Sequence, residues 1–259
     1  MNMLKATLFQ VLSSTTALYC LTAVTSLASE FPQIESVTAK AYDSSGNLLY
    51  TEESTQTLKN GQVANIKSEY FNTEGKKIAD LTSEFKSDSY LADYQYADHR
   101  IESLSGISLQ DGEKSAELFI KKDKSKKDAD RKKMQLKGEM LSIPGVENFV
   151  RNFVENKLKN NSKEKASVRF VIPDRLDDVG FRLYAESEKD SVVHLKLEPE
   201  SFFIRMFAPS ITIDYDKNIK HIISYKGPSH VFDDNGKCQK VSLAFQYKKS
   251  TQTEVAKNP

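Results

Sequence analysis

Ile34-Glu-Ser-Val37-Thr-Ala-Lys-Ala41, Asp43-Ser-Ser-Gly46-Asn47 and Leu48-Leu-Tyr-Thr51 lie almost end to end and read as strand, turn and strand. Apolar and polar side chains alternate in the first run, the period of a strand with one buried face. In the second, glycine supplies the positive φ of a tight turn, and Asp and Asn bond their own backbone. Phe71-Asn-Thr-Glu-Gly75-Lys-Lys-Ile78 and Phe232-Asp-Asp-Asn-Gly236-Lys-Cys-Gln239 repeat the plan. Strands joined by such short turns pair antiparallel, whereas a βαβ fold would interleave amphipathic helices. The expected fold is mainly β: an antiparallel curved sheet or half-barrel meander with one amphipathic helix.

The helix follows Pro144-Gly145. Val146, Phe149, Val150, Phe153 and Val154 stand at i, i+3, i+4, i+7 and i+8, with Glu147, Arg151, Asn152 and Glu155 on the other face. That stripe predicts a helix over 146–158 that caps the open end of the core or lies as a lid over a concave sheet. The chain holds 14 Phe and 11 Tyr. Phe149 and Phe153 are expected to face a strand over 202–207 through either Phe202 and Ile204 or Phe203 and Phe207. If the helix only partly fills the concavity, Phe149, Phe153, Phe203 and Phe207 are the contacts for a hydrophobic ligand; if it fills it, they are core.

Of 259 residues the first 29 contain one base, Lys5, and no acid. Residues 6–28 are uncharged and end in Ser26-Leu27-Ala28, small residues at the −3 and −1 positions of a signal-peptidase site. A retained membrane anchor would fit the length, but five Thr and a Gln make the segment less apolar than an anchor. The reading is a signal peptide over 1–28, cleaved near Ala28, and a single β-rich domain over 29–259, periplasmic or secreted. What remains carries 36 acids and 36 bases. A surface that tracks phosphates needs a basic excess, so nucleic acid is excluded as the main partner. Cys238 is left without a partner for an internal disulfide; at a strand start it is either buried, the favoured reading, or an exposed thiol.

Residues 121–133 hold eight bases and three acids, between strand-like runs at Ser115–Ile120 and Met134–Leu141. The plain reading is a mobile, solvated hairpin tip. The functional one makes Lys121, Lys122, Lys126, Lys127, Lys132 and Lys133 a docking patch for an anionic membrane surface, each base there contributing about 1 kcal/mol.

Chemistry is sparse. No nucleophile elbow, zinc-protease helix or phosphate loop is present, and His99, His194, His221 and His230 are too far apart in sequence to suggest a metal set. No metal or cofactor is expected. Asp98-His99-Arg100 forms the densest polar cluster with Asp93. In a strand Asp98 and Arg100 share a side and pair, while His99 faces away, so a structural ion pair is favoured over a hydrolytic dyad. Pro173–Asp178 has the carboxylates of a Ca²⁺ loop without regular ligand spacing.

The last 60 residues are the most ordered text. Tyr215-Asp216 closes a strand, Tyr225-Lys-Gly227-Pro-Ser229 makes a Y-x-G-x-S corner, and Asp233-Asp-Asn-Gly236 makes a D-x-x-G hairpin before a closing strand, Val241–Tyr247. With Tyr42-Asp-Ser-Ser-Gly46 and Asp98-His-Arg100, this resembles a family of exported bacterial proteins of unknown function. Pro228 and His230 depart from the corner pattern, and 121–133 looks like an insertion. The resemblance implies a curved antiparallel sheet similar to the half-barrels of periplasmic lipid and lipoprotein carriers, and it brings no activity with it. The leading expectation is an exported, non-catalytic binding protein for a lipid or other hydrophobic small molecule. The alternative is an envelope structural or protein-interaction module; a hydrolase using Asp98, His99 and Arg100 is the third.

Overall fold

The structure is a computed structural model that describes residues 33–86, 90–110, 112, 114–160, 163–207 and 210–249, the Phe207 side chain excepted. The expected signal segment, 1–28, lies outside the described residues. A first meander runs through β1 (Gln33–Tyr42), β2 (Leu48–Lys59), β3 (Gln62–Asn72), β4 (Lys77–Glu84), β5 (Asp93–Asp98), β6 (Ser103–Gln110), β7 (Ser115–Lys121) and β8 (Asp130–Gln135), each antiparallel to the strand before it. The two-residue β9 (Met140–Leu141) lies parallel to β10 (Lys165–Ile172). From β10 a second antiparallel meander runs through β11 (Asp177–Lys189), β12 (Val192–Pro199), β13 (Ile211–Asp216), β14 (His221–Phe232) and β15 (Cys238–Lys249). β1 and β15 join the two meanders, paired antiparallel from Glu35↔Lys249 to Tyr42↔Ser242. Among the described residues the result is one sheet of 15 strands with β8 and β9 at its edges.

Those edges are consecutive in sequence, which dictates the curvature. Laid flat, strands about 4.8 Å apart would separate them by roughly 65 Å. Residues 136–139 reach no more than about 17 Å. The sheet must therefore curl until its edges meet. Across the seam Lys132 of β8 pairs with Asp177 of β11 at 3.4 Å, and the turn at Pro173–Arg175 packs on β6 and β7. The fold is thus the curved antiparallel sheet of the sequence reading, with β8 and β9 left as edges.

The three repeated turns share one geometry. Asp43 Oδ1 accepts the N–H groups of Ser45 and Asn47, Asn72 Oδ1 those of Glu74 and Lys76, and Asp233 Oδ1 those of Asn235 and Lys237. Gly46, Gly75 and Gly236 follow at φ +83°, +77° and +72°, a region an L side chain rarely enters.

The expected helix is present as a 3₁₀ turn (Ile143–Gly145), α1 (Val146–Asn152) and a π-helical turn (Phe153–Leu158). Phe149, Val150, Phe153 and Val154 are buried against Leu183, Leu195, Leu197, Ile213 and Tyr215 of the second meander. Gly145 is required here, because a Cβ would collide with the Tyr90 carbonyl.

Three expectations are corrected. Residues 202–207 form a short helix, α2 (Phe202–Phe207), rather than a strand; its Phe and Ile content favours strands, but the backbone leaves the ladder after Pro199. The basic run is not merely a tip, since Asp130–Gln135 is strand β8, paired from Ile120↔Asp130 to Ser115↔Gln135. Lysines on such an edge discourage pairing with other chains. Cys238 is exposed because it opens β15 beside the turn, although its thiol reaches the Ser229 carbonyl at 3.5 Å.

Candidate functional site

The two ends of the curled sheet are built differently. At one end, where β2 turns into β3 and β13 into β14, the helix enters the mouth as a plug. Ser142 at its entry takes the Ala92 N–H on Oγ and donates its own N–H to Tyr90 O, both at 3.0 Å. Arg151 donates to Gly61 O at 2.6 Å and to Lys220 O at 3.0 Å, tying the plug to both turns. Its Nη2 also donates to Glu147 Oε1 at 2.9 Å, one helical turn back.

His221, first residue of β14, completes a buried charge cluster. Its Nδ1 lies 3.0 Å from Glu147 Oε1 and its Nε2 3.2 Å from Glu35 Oε2 on β1. The Tyr247 ring stacks on the imidazole at 4.0 Å. Burial alone would lower the His221 pKa, but hydrogen bonds to Glu147 and Glu35, and their charges, raise it above 6.5. For Glu35 burial works upward, and the His221 hydrogen bond and charge prevail, with help from Lys249 and Arg151, to hold it below 4.5. Glu147 and Arg151, expected on the solvent face, are buried. The helix sits inside the mouth, so the turns cover its polar side and its charges must pair.

Between the ends lies a packed aromatic group. Tyr50, Tyr70, Tyr96 and His230 pack edge to face with centroids 5.3 to 6.2 Å apart. His230 Nε2 lies 2.9 Å from Tyr70 Oη, and Tyr50 Oη 2.8 Å from Ser229 Oγ. Burial lowers the His230 pKa, which favours a neutral imidazole. A cavity of about 40 Å³ lined by Tyr96, His230 and Asp174 has room for water molecules and none for an acyl chain. A wider depression of about 470 Å³ opens at the seam, lined by Gln135, Lys137, Met140, Arg169 and Asp178; it is too polar to suit a lipid tail.

The opposite end carries the turns 43–47, 72–77 and 233–237, the loop 121–130 and α2. Arg100 spans it. Nε and Nη2 grip buried Asp98 at 3.1 and 2.6 Å, Nη2 donates to Phe232 O at 2.8 Å, and Nη1 pairs with Asp234 at 2.9 Å. His99 points outward to Asp80 at 2.6 Å. The arrangement is that of a structural clamp between β5 and the β14–β15 turn. The suggested Ca²⁺ carboxylates are dispersed: Asp174 to Ser105, Asp177 to Lys132, Asp178 to Arg169.

α2 is the unusual feature here. Among the described residues, four of six exposed large apolar side chains belong to it: Phe202 (63%), Phe203 (76%), Ile204 (41%) and Met206 (61%). Arg205 anchors it, donating to Pro199 O and Glu200 O at 3.0 Å each, with its guanidinium 5.9 Å from the Phe202 ring centroid.

The sequence-derived ligand set is therefore not brought together. Phe149 and Phe153 are core at the plugged end, Phe203 is exposed at the other end, and the Phe207 side chain lies outside the described residues. Of the basic candidates, Lys122, Lys126, Lys127, Lys132 and Lys133 are exposed and Lys121 is half-buried. Lys126 pairs with Asp130 and Lys132 with Asp177. Sequence reasoning missed Glu35 and His221, although Glu35 is a charged residue at an inward position of an alternating strand, which is a usable signal.

No protein-family model and no curated protein matches the chain. Among solved structures it is similar to a β-barrel-like protein of a domain of unknown function, DUF1849, from Brucella abortus. That likeness has 7% identity and a TM-score of 0.48, covering 86% of this chain and 100% of the other. A porin-like protein from Bacteroides uniformis matches at 11% identity and a TM-score of 0.21, over 84% of this chain and 96% of the other.

Proposed function

We propose that this chain is an exported, non-catalytic binding protein of the bacterial envelope that meets its partner outside the barrel, at the end bearing α2. The observation that carries this reading is the exposed cluster of Phe202, Phe203, Ile204 and Met206. Each such side chain gains roughly 1.5–3 kcal/mol when buried, and contiguous apolar patches of this kind mark interaction surfaces. Carriage of a lipid inside the barrel would need the volume that Phe149 and Phe153 occupy, so the hydrophobic partner moves from the interior to the outer surface. Export is supported by the uncharged 6–28 segment and its Ser26-Leu27-Ala28 end.

The test is a photo-crosslinking residue at position 203 in expressing cells, with one at exposed Lys67 on β3 as control. A partner adduct from 203 and none from 67 is expected; equal background from both would overturn the reading. Intact mass of the purified protein, expected to begin near Ser29, tests export.

A further inference from the structure

We propose that the partner of α2 is an anionic lipid bilayer, with α2 entering the interfacial layer and the β7–β8 loop holding the headgroups. This rests on the reading of α2 as the contact surface and adds the identity of what it contacts.

Both elements belong to one end of the barrel. α2 links Pro199 of β12 to Ile211 of β13, opposite the plugged turn at 217–220, because Leu197 pairs with Ile211 and Val192 with Asp216. The β10–β11 turn lies at the same end, since Phe181 of β11 pairs with Pro199. The 121–133 segment abuts that turn: Lys132 reaches Asp177 at 3.4 Å, and the Lys122 charge acts on Asp174.

Their chemistry is complementary to a membrane surface. Residues 121–127 hold five bases and one acid, and Asp123 is spent on the loop itself, its Oδ1 accepting the Ser125 N–H at 2.8 Å. Lys122, Lys124, Lys126 and Lys127 are exposed, and among the described residues only Lys126 of these has an ion-pair partner. Acids nearby are largely engaged: Asp98 and Asp234 with Arg100, Glu198 with Arg182, Asp177 with Lys132. Lysines left in this way attract an anionic headgroup layer.

The apolar element suits lipid better than protein. Protein hot spots favour Trp, Tyr and Arg seated in matching pockets, whereas Phe202, Phe203, Ile204 and Met206 have no side-chain hydrogen-bonding group and lie exposed on α2. Lipid demands no matching shape. It does demand satisfied backbone groups, and α2 provides the Arg205 N–H to Ser201 O bond and the Arg205 grip on Pro199 O and Glu200 O.

The experiment is co-sedimentation of the purified protein with vesicles of phosphatidylcholine alone and of equimolar phosphatidylcholine and phosphatidylglycerol. Binding is expected to the second and much less to the first, and to fall as salt rises. Phe203→Ser should weaken it about tenfold, and Lys124→Glu with Lys127→Glu by at least about tenfold. All these positions are exposed, so each variant should melt with the parent. Equal binding to both vesicles that ignores the lysine changes would overturn the proposal, as would no binding to either. In the latter case a protein adduct from position 203 in cells leaves the outward-contact reading standing, and no adduct removes both.

Discussion

The Asn148 carboxamide pairs with the backbone of Val63 as a neighbouring strand would: Oδ1 accepts its N–H and Nδ2 donates to its carbonyl, both at 2.9 Å. The contact falls where β3 runs beyond its partner, since the β3–β4 ladder ends at Asn65↔Glu84. Asn148→Leu keeps the volume and leaves two buried backbone groups unsatisfied, at a cost of about 2–4 kcal/mol. Urea unfolding should show the lower midpoint, and hydrogen exchange should show a faster Val63 amide. An unchanged midpoint would mean that water replaces the side chain.

Arg151 serves two turn carbonyls and Glu147 at once. Arg151→Met would leave those carbonyls unpaired and take the guanidinium from buried Glu147, for a loss of about 3–5 kcal/mol. In a domain of this size that corresponds to roughly 6–20 °C in Tm. Calorimetry measures it, and a drop of less than about 1 kcal/mol would make the cluster peripheral to stability.

The same cluster gives stability a pH dependence. The raised His221 pKa contributes stability that is complete below 6.5 and is lost as pH rises through the folded-state value. The depressed Glu35 pKa contributes stability that is complete above 4.5 and is lost as pH falls through its folded-state value. The Glu35–His221 contribution is therefore strongest between pH 4.5 and 6.5. Urea midpoints from neutral to alkaline pH should fall in the parent, and the fall should be shallower in His221→Gln. Parallel curves for the two proteins would assign the slope to other groups.

Asp98→Asn separates the clamp from a catalytic role. With Asp98 buried beneath a bidentate Arg100, the substitution should destabilise by about 2–3 kcal/mol, less than a fully buried pair because Arg100 is partly exposed. Arg100→Met should cost a similar amount, and the double variant less than the sum. Unaltered melting of Asp98→Asn would remove the structural account.

What could be read beforehand follows from the range of the interactions. The Asp43, Asn72 and Asp233 turns are closed by bonds within four residues, and the 146–158 stripe encodes its own helix, so both were legible. Burial of Glu147 and Arg151 was not, because it depends on Gly61, Lys220 and His221, some 70 to 90 residues away. Phe202–Phe207 has a strand-like composition, and only its position beyond the end of the β12–β13 ladder makes it a helix. Among the site candidates, residue type singled out Phe203 and the lysines, and the structure shows only that Phe203 and most of the lysines lie at the surface. Residue type could not tell an inward phenylalanine such as Phe153 from an outward one.

The β1–β15 ladder has a consequence for how the chain acquires its structure. Among the described residues every other antiparallel pair lies between successive strands, within hairpins that close locally. Glu35↔Lys249 instead joins positions about 210 residues apart. Each meander can begin to form from local contacts, but the sheet stays in two pieces until Cys238–Lys249 has been synthesised. Docking of β15 on β1 is then the high-contact-order, slow event of folding. Until it happens, the edges of β1 and β14 stand open to any chaperone that holds the polypeptide.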